Sequence, residues 1–145
     1  MVEEKIEILL AEDNDDDILM TQNAFKTAKL LNGLKVVKDG EEAMAYVKRQ
    51  GKYKDAKRPG LVLLDINMPK KDGWAVLKEM RADPALKSIP ALILTTSRQE
   101  EDIARSYASG ACTFISKPVG IQEFQKLVEH FELYWVLVAR LPKVG

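Results

Sequence analysis

Short apolar runs alternate along the chain with segments whose apolar residues recur every three to four positions, and each run ends in a polar cluster. Lys5 to Ala11 (KIEILLA) reads as a first strand, closed by Glu12-Asp13-Asn14. Asp15-Asp16-Asp17 then open a helical stretch through Ile18, Leu19, Ala24, Phe25, Ala28 and Leu31. Acidic residues suit a helix start, where they cap free N–H groups and oppose the macrodipole. Asn32-Gly33 stops that helix. Leu34 to Val37 reads as a second strand, Asp39-Gly40 as a turn, and Glu41 to Arg49 as a helix burying Ala43, Met44 and Val47. Gln50 to Gly60, rich in Lys, Gly and Pro, reads as a surface loop. The third strand is Leu61 to Asp65, whose apolar run implies burial on both faces. A helix from Trp74 to about Arg81 turns Val76, Leu77 and Met80 inward and ends at Asp83-Pro84. Pro90 to Thr95 is a fourth strand, Glu100 to Ser109 a polar helix ended by Gly110, and Cys112 to Ser116 a fifth strand. Ile121 to about Leu141 reads as one long last helix.

Five strands alternating with five helices, without repeats, imply an α/β fold: a five-stranded parallel sheet covered on both faces, a three-layer sandwich. The flavodoxin-like order 2-1-3-4-5 sets strands 1 and 3 side by side, and ligands bind beyond the carboxyl ends of such strands. Glu12, Asp13 and Asp65 then crowd one rim. Carboxylates so close repel one another, and a divalent cation relieves this; oxygen-only donors suit Mg²⁺. Thr95 closes the fourth strand with a hydroxyl, and Lys117 follows the fifth with a positive charge. A strand-end carboxylate, a metal, a hydroxyl and a lysine are what phosphoryl transfer onto Asp requires.

Each residue also has a plainer reading. Asp65 alone could cap the following turn, Lys117 could be a surface lysine, and Thr95 could satisfy backbone. Asp72 reads as a turn residue before Gly73. His130 stands away from the acidic clusters and reads as structural, and Cys112 as a small buried apolar residue. The case for function rests on these groups falling together at the ends of strands 1, 3, 4 and 5.

The 145 residues are the size of one domain, with 22 basic residues against 22 acidic and a pI near 6.6. That balance gives no global pull toward DNA or an anionic membrane. The single cysteine cannot form an internal disulfide, no signal peptide follows Met1, and no apolar run is long enough to span a bilayer. The expectation is a cytoplasmic single domain.

At these residues the chain closely resembles the receiver domain of two-component response regulators, the CheY-like family. The resemblance runs from Ile8 to about Val128 through ILLAED, LLDINMPKKDG, LILTTS and FISKP. It implies that Asp65 accepts a phosphoryl group from a sensor kinase histidine, and that Asp13, Asp65 and the Asn67 backbone carbonyl bind Mg²⁺, with Glu12 helping through water. It implies that Thr95 and Lys117 grip the phosphoryl oxygens and that the Lys117–Pro118 peptide is cis. Phe114 stands where the family's switch aromatic sits, without the hydroxyl of the frequent Tyr. The switching face would be the fourth helix, fifth strand and fifth helix. Such a protein is a phosphoacceptor switch, not an enzyme beyond its own phosphorylation and dephosphorylation.

The last helix departs from the family. About 21 residues would reach roughly 31 Å, well past a five-residue strand of about 17 Å. Its core stripe includes Phe131 and Trp135, and beyond it Tyr134, Leu137, Val138 and Leu141 make it apolar nearly all round. A helix of this kind must be covered, by its own domain folding back or, as we expect, by a homodimer partner. The domain reading is therefore residues 1–145, with a core about 5–130 and an extension about 131–145. Together with the loop Gln50 to Gly60, this ending looks like the single-domain regulators that partner phytochrome-type sensor kinases. A haloacid dehalogenase phosphatase would need a second Asp at position 67, where Asn67 stands, and a flavin binder would need a glycine-rich loop after strand 1. Within the family a phosphorelay shuttle to a histidine phosphotransfer protein, a terminal output protein and a phosphorylation-independent binding module stay open.

Overall fold

The computed structural model describes residues 7–27, 34–106 and 113–117. Within them the chain runs β1 (Ile8–Ala11), α1 (Asp15–Thr27), β2 (Leu34–Val37), α2 (Gly40–Val47), β3 (Leu61–Asp65), α3 (Gly73–Ala82), β4 (Ala91–Thr95), α4 (Arg98–Ser106) and β5 (Thr113–Ser116). A 3-10 turn occupies Gly51–Tyr53. The sheet is parallel throughout, in the order β2-β1-β3-β4-β5, a flavodoxin-like α/β arrangement. The helix stops at Asn32-Gly33 and Gly110, Cys112, the Lys117–Pro118 peptide, His130 and the last helix with Phe131, Tyr134, Trp135, Leu137, Val138 and Leu141 lie outside the described residues. Among the described residues no helix is long and apolar enough to cross a membrane.

Strand side chains alternate between two cores, because successive residues of a strand point to opposite faces. Ile8, Leu10, Leu61, Leu63, Leu92 and Leu94 pack with Ile18 and Ala24 of α1 on one face. Leu9, Ala11, Val62, Leu64, Ala91 and Ile93 pack on the other with Val47 of α2 and Val76, Leu77 and Met80 of α3. The unbroken apolar run in β3 follows from this cover on both sides. β2 is one of the two edge strands, and its exposed Lys35 discourages pairing with another chain.

Side-chain caps set the helix starts. The Asn14 side chain accepts from the Asp17 N–H at 3.0 Å, Asp39 from Glu42 at 2.7 Å, and Asp72 from Ala75 at 2.8 Å. Asp72 thus plays the local role its plainer reading gave it. At α4 the Ser97 hydroxyl accepts from the Glu100 N–H at 3.1 Å, while the Glu100 carboxylate accepts from the Thr96 N–H at 2.7 Å. This reciprocal cap starts the helix at Arg98, ahead of the expected Glu100.

The segment from Gln50 to Gly60 is more than a surface loop. Tyr53 and Ala56 pack against the core, the Tyr53 ring lies 5.1 Å from that of Tyr46, and the Tyr53 hydroxyl donates to Glu42. The connection after β3 is tighter still. The Lys71 N–H donates to the Pro69 carbonyl at 2.7 Å across Lys70, which has φ of 68°. A γ-turn of this hand is strained for a residue with a β-carbon. α2 braces it, for the Gly40 N–H points at the same carbonyl at 3.5 Å, and a β-carbon on Gly40 would sit 2.0 Å from the Lys71 oxygen.

Helix propensity alone would make Gly40→Ala stabilising by about 1 kcal/mol. The contact with Lys71 reverses the sign: denaturant unfolding should show a loss of roughly 1–3 kcal/mol. A gain in stability would mean that α2 does not brace this loop.

Candidate functional site

The strands that build the two cores also deliver polar groups to one rim. Asp65 is the last residue of β3 and Thr95 the last of β4; both are buried, as is Glu12 just after β1. Register does the placing. Asp65 lies opposite Leu94, Thr95 lies opposite Ser116, and the Lys117 N–H donates to the Thr95 carbonyl at 2.7 Å. This hydrogen bond carries the β4–β5 ladder one residue past β5 and fixes where the Lys117 side chain leaves the backbone.

The Lys117 ammonium reaches the Glu12 carboxylate at 2.7 Å, Asp17 at 2.8 Å and Asp65 at 3.1 Å, with its side chain only 10% exposed. The plain reading of Lys117 as a surface lysine therefore fails. Glu12 is further fixed by its N–H donating to Val37 at 2.9 Å and by its carboxylate accepting from the Asn14 N–H at 3.2 Å. Burial, above all, raises the Glu12 carboxyl to about 7, and Asp65 pushes the same way, while the bond from Lys117 pulls it down. Burial would lower Lys117, yet the carboxylates of Asp17, Glu12 and Asp65 hold it above its ordinary value.

Asp13 is exposed, and one oxygen each from Glu12, Asp13 and Asp65 lie within 4.8 Å of one another. This donor set is oxygen only, partly open to solvent and anionic beyond what one lysine neutralises, which fits a hard divalent cation. Asn67 is exposed in the loop that follows. Behind it, the Gly73 N–H donates to the Ile66 carbonyl at 2.9 Å, and a β-carbon on Gly73 would lie 2.3 Å from the Asp65 carbonyl oxygen. Only glycine lets α3 start this close to the end of β3. Phe114, in β5 opposite Ile93, is half-buried against the core shared with α2 and α3. Glu12, Asp13, Asp65 and Lys117 thus come together, with Thr95 bonded through its backbone to Lys117. Asp17 belongs to the same cluster although its position in an acidic helix start gave no sign of it.

Residues 8–129 match the response regulator receiver domain family. The response regulator Rcp1 of Synechocystis sp. is 39% identical over 135 residues, covering 93% of this chain and 92% of its own. The crystal structure of the phosphorylated cyanobacterial phytochrome response regulator RcpA is similar with a TM-score of 0.76 at 41% identity, over 97% of this chain and 100% of that one. The crystal structure of the Mn(2+)-bound form of Rcp1 gives 0.73 at 39% identity, over 95% and 99%.

Removing the lysine should expose the carboxylates' mutual repulsion. Lys117→Met is expected to lower stability by about 3 kcal/mol, the scale for breaking a buried ion pair from one side. Adding Glu12→Gln should recover more than half of that loss in a double-mutant cycle by urea unfolding. Purely additive losses would contradict the coupling.

Proposed function

The chain belongs to the response regulator receiver domain family, and from that premise we propose that Asp65 is its phosphoacceptor in a two-component switch. The observation that carries this is the largely enclosed lysine held 3.1 Å from a buried strand-end aspartate at the carboxyl rim of a parallel sheet.

A carboxylate oxygen of Asp65 attacks phosphorus in line with the leaving group. The oxygen–phosphorus bond of an acyl phosphate forms as the phosphorus–nitrogen bond to the donor histidine breaks. The electron pair leaves on the histidine nitrogen, which takes a proton from water. Lys117 offsets charge on the phosphoryl oxygens, and the Thr95 hydroxyl donates to one of them once it arrives. Asp13, Asp65 and the Asn67 backbone carbonyl would hold Mg²⁺, with Glu12 acting through water. When bound, that ion neutralises charge on the incoming phosphoryl group. At neutral pH the acyl phosphate carries about −1.5 to −2 where the carboxylate carried about −1, so the rim gains about one negative charge at most, which draws on Thr95 and Phe114 and biases the face built on α4 and β5.

Likeness to Rcp1 and RcpA supports a phytochrome-type sensor histidine kinase as donor. We further propose one receiver domain over 1–145 with an extended last helix that pairs two copies through Phe131, Tyr134, Trp135, Leu137, Val138 and Leu141. The support is the run of large apolar residues in the sequence of that segment. The balanced charge and the lack of a membrane-crossing helix among the described residues agree with a cytoplasmic switch.

Incubation with a small phosphodonor and Mg²⁺ should load the wild type, with loading lost in Asp65→Asn and on chelation. Loading of Asp65→Asn at the wild-type level would sink the assignment. Light scattering on the same samples should give the mass of a dimer, shifted toward monomer by Trp135→Asp. A monomer throughout would end the dimer proposal and leave the phosphoacceptor untouched.

A further inference from the structure

Asp17 stands apart from its neighbours in the first turn of α1. Asp15, 81% exposed in its side chain, pairs with Lys38 at the surface, and Asp16 is exposed. The dipole of α1 accounts for both. Asp17 is 27% exposed, and its carboxylate turns inward to Lys117 at 2.8 Å. Its backbone is locked from both sides, the N–H donating to Asn14 at 3.0 Å and the carbonyl accepting from the Thr21 hydroxyl at 2.8 Å.

An ammonium has three N–H bonds. Here they face three carboxylates, those of Glu12, Asp17 and Asp65, so Lys117 has no donor to spare. A phosphoryl group on Asp65 takes over the contact that Asp65 makes, and its remaining oxygens compete for the other two donors. Glu12 is 1% exposed, and an abandoned carboxylate there would have no water to replace the lysine. Asp17 lies nearer the solvent and can be hydrated, so it is the partner that lets go.

Resting on the assignment of Asp65 as phosphoacceptor, we propose that Asp17 is a positioning residue that holds Lys117 on the α1 side in the unphosphorylated chain and yields it to the phosphoryl oxygens. The first turn of α1 then senses the phosphorylation state through one ion pair. This route leads from Lys117 into α1, whereas Thr95 and Phe114 lead toward the face built on α4 and β5.

The test compares wild type, Asp17→Asn, Asp17→Ser and Asp17→Glu in two readouts. The first is the rate of loading by a small phosphodonor with Mg²⁺, alongside each variant's melting temperature. Freed of a competitor, Lys117 in the two neutral variants should speed loading about two- to fivefold, the range a rim ion pair can shift. Asp17→Glu should return toward the wild-type rate. The second is the amide spectrum of residues 15–18 with Mg²⁺ present throughout, before and after loading. These amides should move on loading in the wild type, and in the neutral variants should be displaced beforehand and move less. Neutral variants that load at the wild-type rate or more slowly, or with unchanged amide movement on loading, would overturn the proposal while leaving Asp65 in place. A wild type that takes up no phosphoryl group would overturn the assignment of Asp65 and this inference with it.

Discussion

The structure turns on keeping carboxylates together in a place that water scarcely reaches. Glu12 and Asp65 are almost wholly buried, and Asp17 leans in beside them. Unpaired, such groups would each cost several kcal/mol or take up protons. Among the described residues a single ammonium, that of Lys117, offsets them. Its own burial is tolerated because every carboxylate around it favours the charged form. Burial keeps the Glu12 carboxyl raised in spite of the lysine, and a divalent cation at this rim would offset the negative charge that Lys117 leaves.

That arrangement depends on strand register far from the charges. Lys117 arrives at the rim because β5 pairs with β4 so that Thr95 lies opposite Ser116 and hands its carbonyl to the next N–H. Asp65 arrives because β3 is buried between two helical layers and runs out of apolar residues at its last position. The loop that follows is held by close backbone approaches at Gly40 and Gly73, and it accepts a strained turn at Lys70. Packing energy from two cores is thus spent on fixing a few polar atoms within hydrogen-bond reach.

The parallel α/β arrangement was legible in the chain because buried strands leave unbroken apolar runs, such as LVLLD and ALILT, closed by polar residues. The same feature placed Glu12, Asp65, Thr95 and Lys117 at one rim. Asp17 is hard to single out in the sequence because an acidic residue at a helix start has a sufficient local explanation, one that holds for Asp15 and Asp16. Its signal lay in helix phase: Asp17, Thr21 and Ala24 share one face at spacings of four and three, and Thr21 and Ala24 are both buried. Tyr53 was hidden differently, as one aromatic in a segment whose average composition is that of a loop; its packing on Tyr46 needs the tertiary structure to be seen. α4 starts two residues ahead of its expected place because the Ser97–Glu100 cap lies within a polar run that hides it in the sequence.

The most direct test of this account is to locate the phosphoryl group chemically. Loading the protein from a small phosphodonor with Mg²⁺, trapping the acyl phosphate with borohydride and mapping the peptides identifies the aspartate that was modified, since reduction converts it to homoserine. The account predicts conversion at position 65 alone. Conversion at position 13 or 17, or none in protein that is folded and has bound Mg²⁺, would contradict it.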